Sequence, residues 1–404
     1  MKSKIKRKEK FLFIIIAGLL LSNTMIWAVA EVAITSGKWQ IARDDDFIRN
    51  DGVEGDLKDI VLVDEKNGWA VGGNLILHTN DGGETWEIQT TGAESPPTLW
   101  SVYFRDAKSG VIAGTGTSRG FGRVSSNRGP GQAEPGRGST GERPGPPGDG
   151  TRPGPGEGGP PPGFGEGGPP PGFAPPGFGG GGGTAVYKTE DGGKTWVEQR
   201  VDARSALADI QMVDEKVGYA VGESDTVVKT TDGGATWNQI MSGQRARTGE
   251  TRSYLDGLYF VTPEIGWMVG SFGKIMHTTD GGQNWEEPQV DTPNDLKSAH
   301  FVSDKEGWVV GNEGTILHTV DGGKTWEQQK SDTEDSLRSV VFLDKNVGWA
   351  CGDFGTVVHT IDGGKTWKRE NTGTSTNLFS ISACKEYCWA VGEWGLIIRY
   401  VPTK

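Results

Sequence analysis

Residues 348–367 read Gly-Trp-Ala-Cys-Gly-Asp-Phe-Gly-Thr-Val-Val-His-Thr-Ile-Asp-Gly-Gly-Lys-Thr-Trp, and versions of this stretch recur along the chain. Its second half contains the block Thr-x-Asp-Gly-Gly-x-Thr-Trp, which is present in five copies and in a sixth copy with Asn284 for the second Thr. The aspartates of the six copies are Asp81, Asp191, Asp232, Asp280, Asp321 and Asp362. Its first half, of the type Gly-Trp-Ala-Val-Gly, occurs seven times, so the chain contains seven units of about 41 residues.

Each unit is predicted to contain four short strands. In the sixth unit we expect strands at residues 337–343, 348–352, 356–360 and 366–370, with Asp, Asn and Gly between them. The strands are rich in β-branched and aromatic residues, and no helical periodicity interrupts them. Because four-stranded units that repeat radially are propeller blades, the sequence predicts an all-β fold, a seven-bladed β-propeller of four-stranded blades.

The two ends of the chain predict how the ring closes. The seventh unit has strands at 378–383, 388–392 and 396–401, and then lacks a fourth. Residues 36–40, Ser-Gly-Lys-Trp-Gln, resemble the missing outer strand. We therefore expect the N-terminal strand to complete the last blade, which leaves no exposed sheet edge at the closure.

The composition is uneven along the 404 residues. Residues 120–183 hold 25 of the 65 Gly and 15 of the 21 Pro. This low-complexity insertion, residues 115–183 within blade two, lacks the apolar content of a core, and we predict that it is disordered. The net charge is −12, and without the basic first 30 residues it is −17. Such an acidic body argues against nucleic acid as a partner, since that affinity comes from neutralising phosphates.

The N-terminus has the pattern of a targeting segment. Residues 2–10 contain six Lys and Arg, residues 11–26 are mostly apolar, and Ala28-Val29-Ala30 resembles a cleavage site. We predict a signal peptide at 1–30 and a propeller at 31–404, in an exported protein that is periplasmic, extracellular or membrane-associated. An uncleaved anchor is the alternative.

The repeated aspartates allow a catalytic or calcium-binding reading and a structural one. An Asp carboxylate in this turn can accept backbone N–H bonds, and the two Gly adopt positive φ without strain. We therefore predict a structural role. The residue before each block is basic, and we expect it to lie against an aromatic ring or a carboxylate. These residues are His78, Lys188, Lys229, His277, His318 and His359, with Arg399 in the last unit. The sequence lacks metal-ligand spacing, and we predict neither a metal nor a cofactor.

Two cysteines stand at the first hairpin of the seventh unit. Cys384 and Cys388 replace the Asp and Gly of other units, and in an exported protein we predict a disulfide between them. Cys351 replaces the Val of the Gly-Trp-Ala-Val-Gly block, and we expect a buried thiol there.

Basic residues cluster in two successive connections between blades. These residues are Arg204, Arg245, Arg247 and Arg252. Exposed arginines offer bidentate hydrogen bonds to carboxylates, so we predict a binding surface for an exported or membrane polypeptide, or for an acidic glycan. We expect the protein to be a monomer.

The seven paired blocks resemble the photosystem II stability and assembly factor family of Asp-box (BNR repeat) propellers. The resemblance covers residues 39–401 apart from the insertion, which departs from the family pattern. It implies seven blades, export and a non-enzymatic, chaperone-like role toward photosystem II polypeptides. It also implies an arginine patch as the partner surface, although the family's arginines do not map one by one onto this chain.

An Asp-box glycoside hydrolase, or a glycan-binding protein, is the competing interpretation. Sialidases share the Asp-box but open with an Arg-Ile-Pro motif that is absent here, and related xyloglucanases use two propellers. Asp59, Asp209 and Asp256 lie near the starts of innermost strands and allow a paired-carboxylate site. Serines occupy the register of Asp59 and Asp209 in other units, which favours a structural role. These are Ser101, Ser298, Ser339 and Ser380. We predict binding, with no catalytic residue.

Overall fold

The computed structural model describes residues 37–43, 55–116, 183–243, 253–385 and 387–402. These residues form seven separate β-sheets. The innermost strand of each sheet contacts that of the next, and the last contacts the first. The predicted seven-bladed β-propeller is therefore confirmed. Within the described ranges, no helix is long and apolar enough to cross a bilayer.

The chain builds the blades in order, each from its innermost strand outward. Strand β1 (Gly37–Arg43) precedes blade one, which contains β2 (Asp59–Leu62), β3 (Gly68–Gly72), β4 (Leu75–Thr79) and β5 (Glu87–Gln89). Blade two contains β6 (Thr98–Phe104), β7 (Gly110–Thr115), β8 (Thr184–Thr189) and β9 (Val197–Glu198). Blade three contains β10 (Arg200–Asp202), β11 (Leu207–Met212), β12 (Gly218–Gly222), β13 (Thr226–Thr230) and β14 (Thr236–Met241). Blade four contains β15 (Leu255–Phe260), β16 (Gly266–Gly270) and β17 (Ile275–Thr278).

The last three blades repeat the same order. Blade five contains β18 (Leu296–Phe301), β19 (Gly307–Gly311), β20 (Ile316–Thr319) and β21 (Glu327–Gln328). Blade six contains β22 (Leu337–Phe342), β23 (Gly348–Gly352), β24 (Val357–Thr360) and β25 (Lys368–Arg369). Blade seven contains β26 (Leu378–Cys384), β27 (Tyr387–Gly392) and β28 (Ile397–Pro402). Single 3₁₀ turns lie at Ser271–Gly273, Asp353–Gly355 and Glu393–Gly395.

Two blades depart from the expected four strands. In blade four the outer strand is reduced to one bridge between His277 and Glu286. Pro288 follows two residues later, at the position where Gln329 of blade five donates its N–H to Ile316. Because proline has no N–H, the outer ladder of blade four cannot continue. In blade three the connection from blade two adds β10, which pairs parallel with β14.

Strand β1 closes the ring as predicted. It pairs antiparallel with β28, with Trp39 opposite Tyr400, and so becomes the outer strand of blade seven. Closure also occurs at the axis, where the N–H of Leu57 donates to the carbonyl of Gly392. The two ends of the described chain therefore share one sheet.

Stacked aromatic side chains join neighbouring blades. In blade one the Trp69 ring lies between His78 of its own blade, at 4.6 Å between centroids, and Phe104 of blade two, at 3.6 Å. The same sandwich recurs around Trp267 and Trp308. Burial lowers the pKa of His78, which keeps the ring neutral in this stack. The sequence predicts that the basic residue before each Thr-x-Asp-Gly-Gly-x-Thr-Trp block lies against an aromatic ring or a carboxylate, and contact with an aromatic ring is confirmed at these positions.

The ring has two faces. The turns between first and second strands and the Asp-boxes lie on one face, which we call the Asp-box face. The turns between second and third strands and the connections between blades lie on the other, which we call the connection face. In blade two the ladder between Thr115 and Thr184 ends on the connection face. The predicted insertion starts there, and residues 117–182 lie outside the described residues.

Candidate functional site

The Asp-box carboxylates are fully engaged by their own turns. In blade five, Asp321 Oδ1 accepts hydrogen bonds from the N–H of Thr325 (3.0 Å) and the hydroxyl of Thr319 (2.9 Å), and Oδ2 accepts the hydroxyl of Thr325 (2.7 Å). Gly322 and Gly323 have φ of 81° and 84°. Hydrogen bonds from Thr325 lower the pKa of Asp321 to about 2. The same three hydrogen bonds form at Asp81, Asp191, Asp232 and Asp362, and at Asp280 the side-chain amide of Asn284 donates in place of the second Thr hydroxyl.

This geometry supports the structural interpretation of the Asp-box. Each carboxylate organises one turn through hydrogen bonds to residues of its own block. In the part of the chain that the structure describes, no three His, Cys, Asp or Glu side chains converge as metal ligands.

A polar belt runs around the axis at the register of Asp59. One side chain from an innermost strand accepts a backbone N–H from the innermost strand of the next blade, at 2.8 to 3.4 Å. The pairs are Asp59–Val102, Ser101–Ile210, Asp209–Leu258, Ser298–Val340, Ser339–Ile381 and Ser380–Ile60. In blade four the register holds Gly257, where an added Cβ would lie 2.7 Å from the carbonyl oxygen of Lys297. Glycine at position 257 thus allows the backbone of blade five to lie close to the innermost strand of blade four.

Two belt carboxylates share one hydroxyl. Ser101 Oγ lies 2.9 Å from Asp59 Oδ2 and 3.0 Å from Asp209 Oδ1. A hydroxyl has one proton to donate, so both contacts are satisfied when one carboxyl is protonated. Burial and then the Asp59 charge raise the pKa of Asp209 to about 7, and burial raises the pKa of Asp59.

The hydrogen bonds of Asp59 and Asp209 connect the innermost strands of neighbouring blades. The oxygens of Asp59 also accept the hydroxyl of Ser380 at 2.7 Å and the N–H of Ile60 at 2.9 Å. Carboxylates of a glycoside hydrolase must face the bond that they cleave. These two instead face the backbones of neighbouring blades.

Asp256, the third carboxylate singled out in the sequence, lies outside the belt. It occupies a β-bulge, where two residues of an innermost strand oppose one residue of its neighbour. A bulge at this position recurs in the innermost strands and re-aims one side chain at the axial opening of the connection face. We call these side chains the axial ring. Its members are Lys58, Trp100, Ala208, Asp256, Lys297, Arg338 and Phe379.

Cations and aromatic rings alternate in part of the axial ring. Lys58 Nζ lies 3.8 Å from the ring centroid of Phe379 and 5.8 Å from that of Trp100. The guanidinium of Arg338 lies 5.4 Å from the centroid of the same Phe379 ring. Lys297 Nζ lies 3.4 Å from Asp256. The ring therefore forms a contact network across blade boundaries at the mouth of the axial channel.

Each cation of the axial ring is paired with an adjacent carboxylate. Lys58 pairs with Asp56 at 2.8 Å, Lys297 with Asp295 at 3.3 Å, and Arg338 with Asp353. The ring is thus ordered and close to neutral. The axial ring was not among the predicted sites, although the sequence contains one signal for it. The position before each belt residue varies among Lys, Trp, Ala, Asp, Arg and Phe, while the residue that precedes it is Leu in all seven units.

Of the four predicted binding arginines, the structure describes Arg204. It is exposed and lines a cavity of about 340 Å³ on the connection face, which we call the blade-three cavity. The start of β8 meets this cavity, because the Thr184 hydroxyl donates to the carbonyl of Ser205 at 2.7 Å. Arg245, Arg247 and Arg252 lie outside the described residues.

The described ends of the second arginine connection also reach the blade-three cavity. Gly243 donates its N–H to the carbonyl of Ser224 at 2.7 Å, and Ser224 donates its N–H to the carbonyl of Ser253 at 3.0 Å. Both Ser224 and Gly243 line the cavity. The two arginine-bearing connections and the base of the insertion therefore meet around one opening.

The predicted disulfide is corrected by the structure. Cys384 and Cys388 are free. The first hairpin of blade seven is shorter than predicted, with Cys384 opposite Tyr387 and Ala383 opposite Cys388. Residues directly opposite in a ladder share a face, so the two thiols point to opposite faces of the sheet. Cys388 instead lies in one buried cluster with Cys351, and the expected burial of Cys351 is confirmed.

Most of the repeat-containing part of the chain matches one family model. Residues 22–119, 194–292, 244–334 and 329–401 match the family model described as photosynthesis system II assembly factor YCF48. No curated protein sequence matches the chain.

Solved structures share the fold at low identity. The structure of "YCF48 bound to D1 peptide" is 17% identical, with a TM-score of 0.60 over 91% of this chain and 95% of that one. YCF48 from Cyanidioschyzon merolae is also 17% identical, with a TM-score of 0.58 over 90% and 99%. A GH74 xyloglucanase from Xanthomonas campestris is 12% identical, with a TM-score of 0.57 over 89% of this chain and 53% of that one.

Proposed function

Because this chain belongs to the YCF48 family of photosystem II assembly factors, we propose that it is an exported assembly factor that docks a polypeptide on its connection face without catalysing a reaction. The observation that carries the proposal is the convergence at the blade-three cavity. There Arg204 is exposed beside the described ends of the connection that contains Arg245, Arg247 and Arg252.

The chemistry of this surface favours carboxylates. A guanidinium presents a planar set of donors that binds a carboxylate bidentately. Arg204 has polar cavity neighbours, Asp202, Ser205 and Gln239 among them, that offer hydrogen bonds to a peptide backbone. The related YCF48 was solved with a D1 peptide bound, which supports a polypeptide as the partner here.

The glycoside-hydrolase alternative rests on the fold shared with a GH74 enzyme and on Asp59 and Asp209. The hydrogen bonds of the polar belt give both carboxylates a structural role. We therefore place binding ahead of catalysis. Turnover of a xyloglucan or sialoside by the wild type, abolished in D59N or D209N, would establish the enzyme instead.

The binding test is a titration of a fluorescently labelled D1 peptide followed by anisotropy. We expect Arg204→Ala to weaken binding about tenfold, because a hydrogen bond between charged groups contributes about 1.5 to 3 kcal/mol. The variant with all four arginines changed to Ala should weaken it further. Affinity should also fall with added salt, which screens exposed charges beyond about 10 Å at 0.1 M.

A matched control separates local contacts from net charge. Lys194, Lys305, Lys324 and Lys365 are exposed on the Asp-box face. Changing all four to Ala alters the net charge as much as the arginine variant does. Equal loss of affinity in both variants, or no loss in either, would remove the blade-three surface from the proposal. An acidic oligosaccharide that binds in place of the peptide would support the glycan-binding alternative.

Export is tested separately. We expect the protein purified from its native compartment to lack residues 1–30, so that its intact mass matches residues 31–404. A mass that includes residues 11–26 would show that the segment is retained as an anchor.

A further inference from the structure

Three turns on the connection face end in exposed aromatic side chains. Phe272, Phe354 and Trp394 are 58%, 65% and 60% exposed, although each is a large apolar residue. Their φ angles are 61°, 56° and 59°, in the left-handed region that disfavours side chains with a Cβ. Blade one places Gly73, with φ of 55°, in the corresponding turn. Neither burial nor backbone conformation explains an aromatic residue at these positions.

The aromatic tips are held in place by side chains from the following blade. Asp295 Oδ1 accepts the N–H of Phe272 at 3.0 Å, and Asn377 Oδ1 accepts the N–H of Phe354 at 2.8 Å. Asp56 Oδ1 accepts the N–H of Trp394 at 3.2 Å. Asp56 and Asp295 are themselves fixed by the axial-ring lysines. The tips are therefore pre-organised, which lowers the entropy cost of binding a partner.

Carboxylates lie among these tips. Blade five, between the blades of Phe272 and Phe354, carries Glu313 at its own turn, with φ of 55°. Glu313 lines a cavity of about 410 Å³ together with Asp332 and Glu334, and Lys330 is the one basic residue among the described lining side chains. Glu313, Asp332 and Glu334 are exposed. The described lining of this cavity therefore carries a net negative charge.

We propose that blades four to seven carry a second docking surface, formed by Phe272, Phe354 and Trp394 with the carboxylates of blade five. Its partner is a polypeptide segment in which Lys or Arg alternates with apolar side chains. Aromatic faces attract cations and also bury apolar groups, and the flanking carboxylates select for positive charge. This inference goes beyond the proposed function, which concerns a carboxylate-bearing partner at blade three.

The main test uses a fluorescein-labelled peptide of alternating Arg and Leu, and a second peptide with Glu for Arg. In the test variant, Phe272, Phe354 and Trp394 are all changed to Asn, a residue that tolerates the left-handed conformation. We expect the variant to bind the Arg-Leu peptide at least tenfold more weakly, with an unchanged or higher Tm. Glu313→Lys should weaken binding without altering any aromatic tip.

The matched control removes exposed apolar surface from the other face. Val320 and Ile361 are 64% and 58% exposed, and Thr occupies the same Asp-box position at Thr231 and Thr279. Changing both to Thr should leave binding of the Arg-Leu peptide unchanged. Binding of the D1 peptide should persist in the tip variant, which separates this surface from the blade-three cavity.

Each of three results would overturn the proposal. These are equal or weaker binding of the Arg-Leu peptide by the wild type relative to the Glu-Leu peptide, wild-type affinity in the tip variant, and a loss of affinity in the control as large as that in the tip variant. Tip-dependent sedimentation with phosphatidylcholine vesicles in the absence of peptide binding would also overturn it and would assign the surface to a lipid bilayer.

Discussion

Replacing Asp209 with Asn should remove a pH dependence of folding stability that originates in the polar belt. The shared hydroxyl of Ser101 lies within hydrogen-bond distance of both Asp59 and Asp209, and one carboxyl proton satisfies the three groups. Burial, followed by the Asp59 charge, raises the pKa of Asp209 to about 7 in the folded protein. The unfolded chain has the ordinary value of 3.8.

The sign of the effect follows from proton binding. Between these two pKa values the folded protein holds one more proton than the unfolded chain, so the free energy of unfolding falls as the pH rises. One pKa unit corresponds to about 1.4 kcal/mol. The wild type should therefore lose about 2 kcal/mol of this contribution between pH 5 and pH 7, and the small remainder, roughly 0.4 kcal/mol, above pH 7.

The titration of His300 makes the free energy of unfolding rise, not fall, with pH over part of this range. Burial lowers the pKa of His300 to about 4, so its contribution to stability grows as the pH rises from about 4 to 6.5. His300 is present in both proteins. The difference in unfolding free energy between D209N and the wild type therefore cancels the His300 contribution and reports on the Asp59–Asp209 pair.

The assay is equilibrium urea denaturation followed by tryptophan fluorescence at pH 5, 6, 7 and 8. We expect the difference to shift in favour of D209N by about 2 kcal/mol from pH 5 to pH 7. A constant offset is also expected, because Asp209 accepts the N–H of Leu258 on one oxygen and the N–H of Ile210 on the other, whereas Asn has a single acceptor oxygen. D321N is the control, since Asp321, with a pKa of about 2, does not titrate here. A difference that does not vary with pH would refute the shared proton.

Three further outcomes follow from the geometry. Asp321→Ala should lower the free energy of unfolding by about 1 to 2 kcal/mol in urea denaturation, since it removes three hydrogen bonds from one turn. An unchanged urea midpoint would contradict the structural role of the Asp-box. Thiol counting under denaturing, non-reducing conditions should find three free thiols, whereas one would indicate a disulfide. Deleting residues 120–182 should leave the Tm within a few degrees, because the ladder between Thr115 and Thr184 is already complete; a large drop would mean that the insertion packs on the propeller.

Much of the fold is readable from the repeat because each block has a local physical cause. Gly-Trp-Ala-Val-Gly forms a second strand buried on both faces, as in β23, which spans the predicted residues 348–352. The Asp-box forms its turn from its own hydrogen bonds, and the missing last strand predicts the closure by β1. The strand and the turn depend on neighbours in sequence, so a repeat shows them directly, and the closure follows from counting the strands of the last unit.

The axial ring and the hairpin of blade seven depend instead on pairing register. A bulge decides that Lys297 or Arg338 is aimed at the axial opening, and a motif does not show where a bulge falls. The disulfide prediction failed because a shorter turn moved Cys384 to the face opposite Cys388. The reduced blade four did have a signal, the proline at position 288, whose missing N–H ends the outer ladder.

The central claim is that a polypeptide docks on the connection face at blade three. Hydrogen exchange measured by mass spectrometry, with and without saturating D1 peptide, tests it most directly. We predict slower exchange at residues 200–206 and 222–226, which carry and surround Arg204, and unchanged exchange in the Asp-box turns. Protection confined to the Asp-box face, or no protection at saturation, would contradict the account.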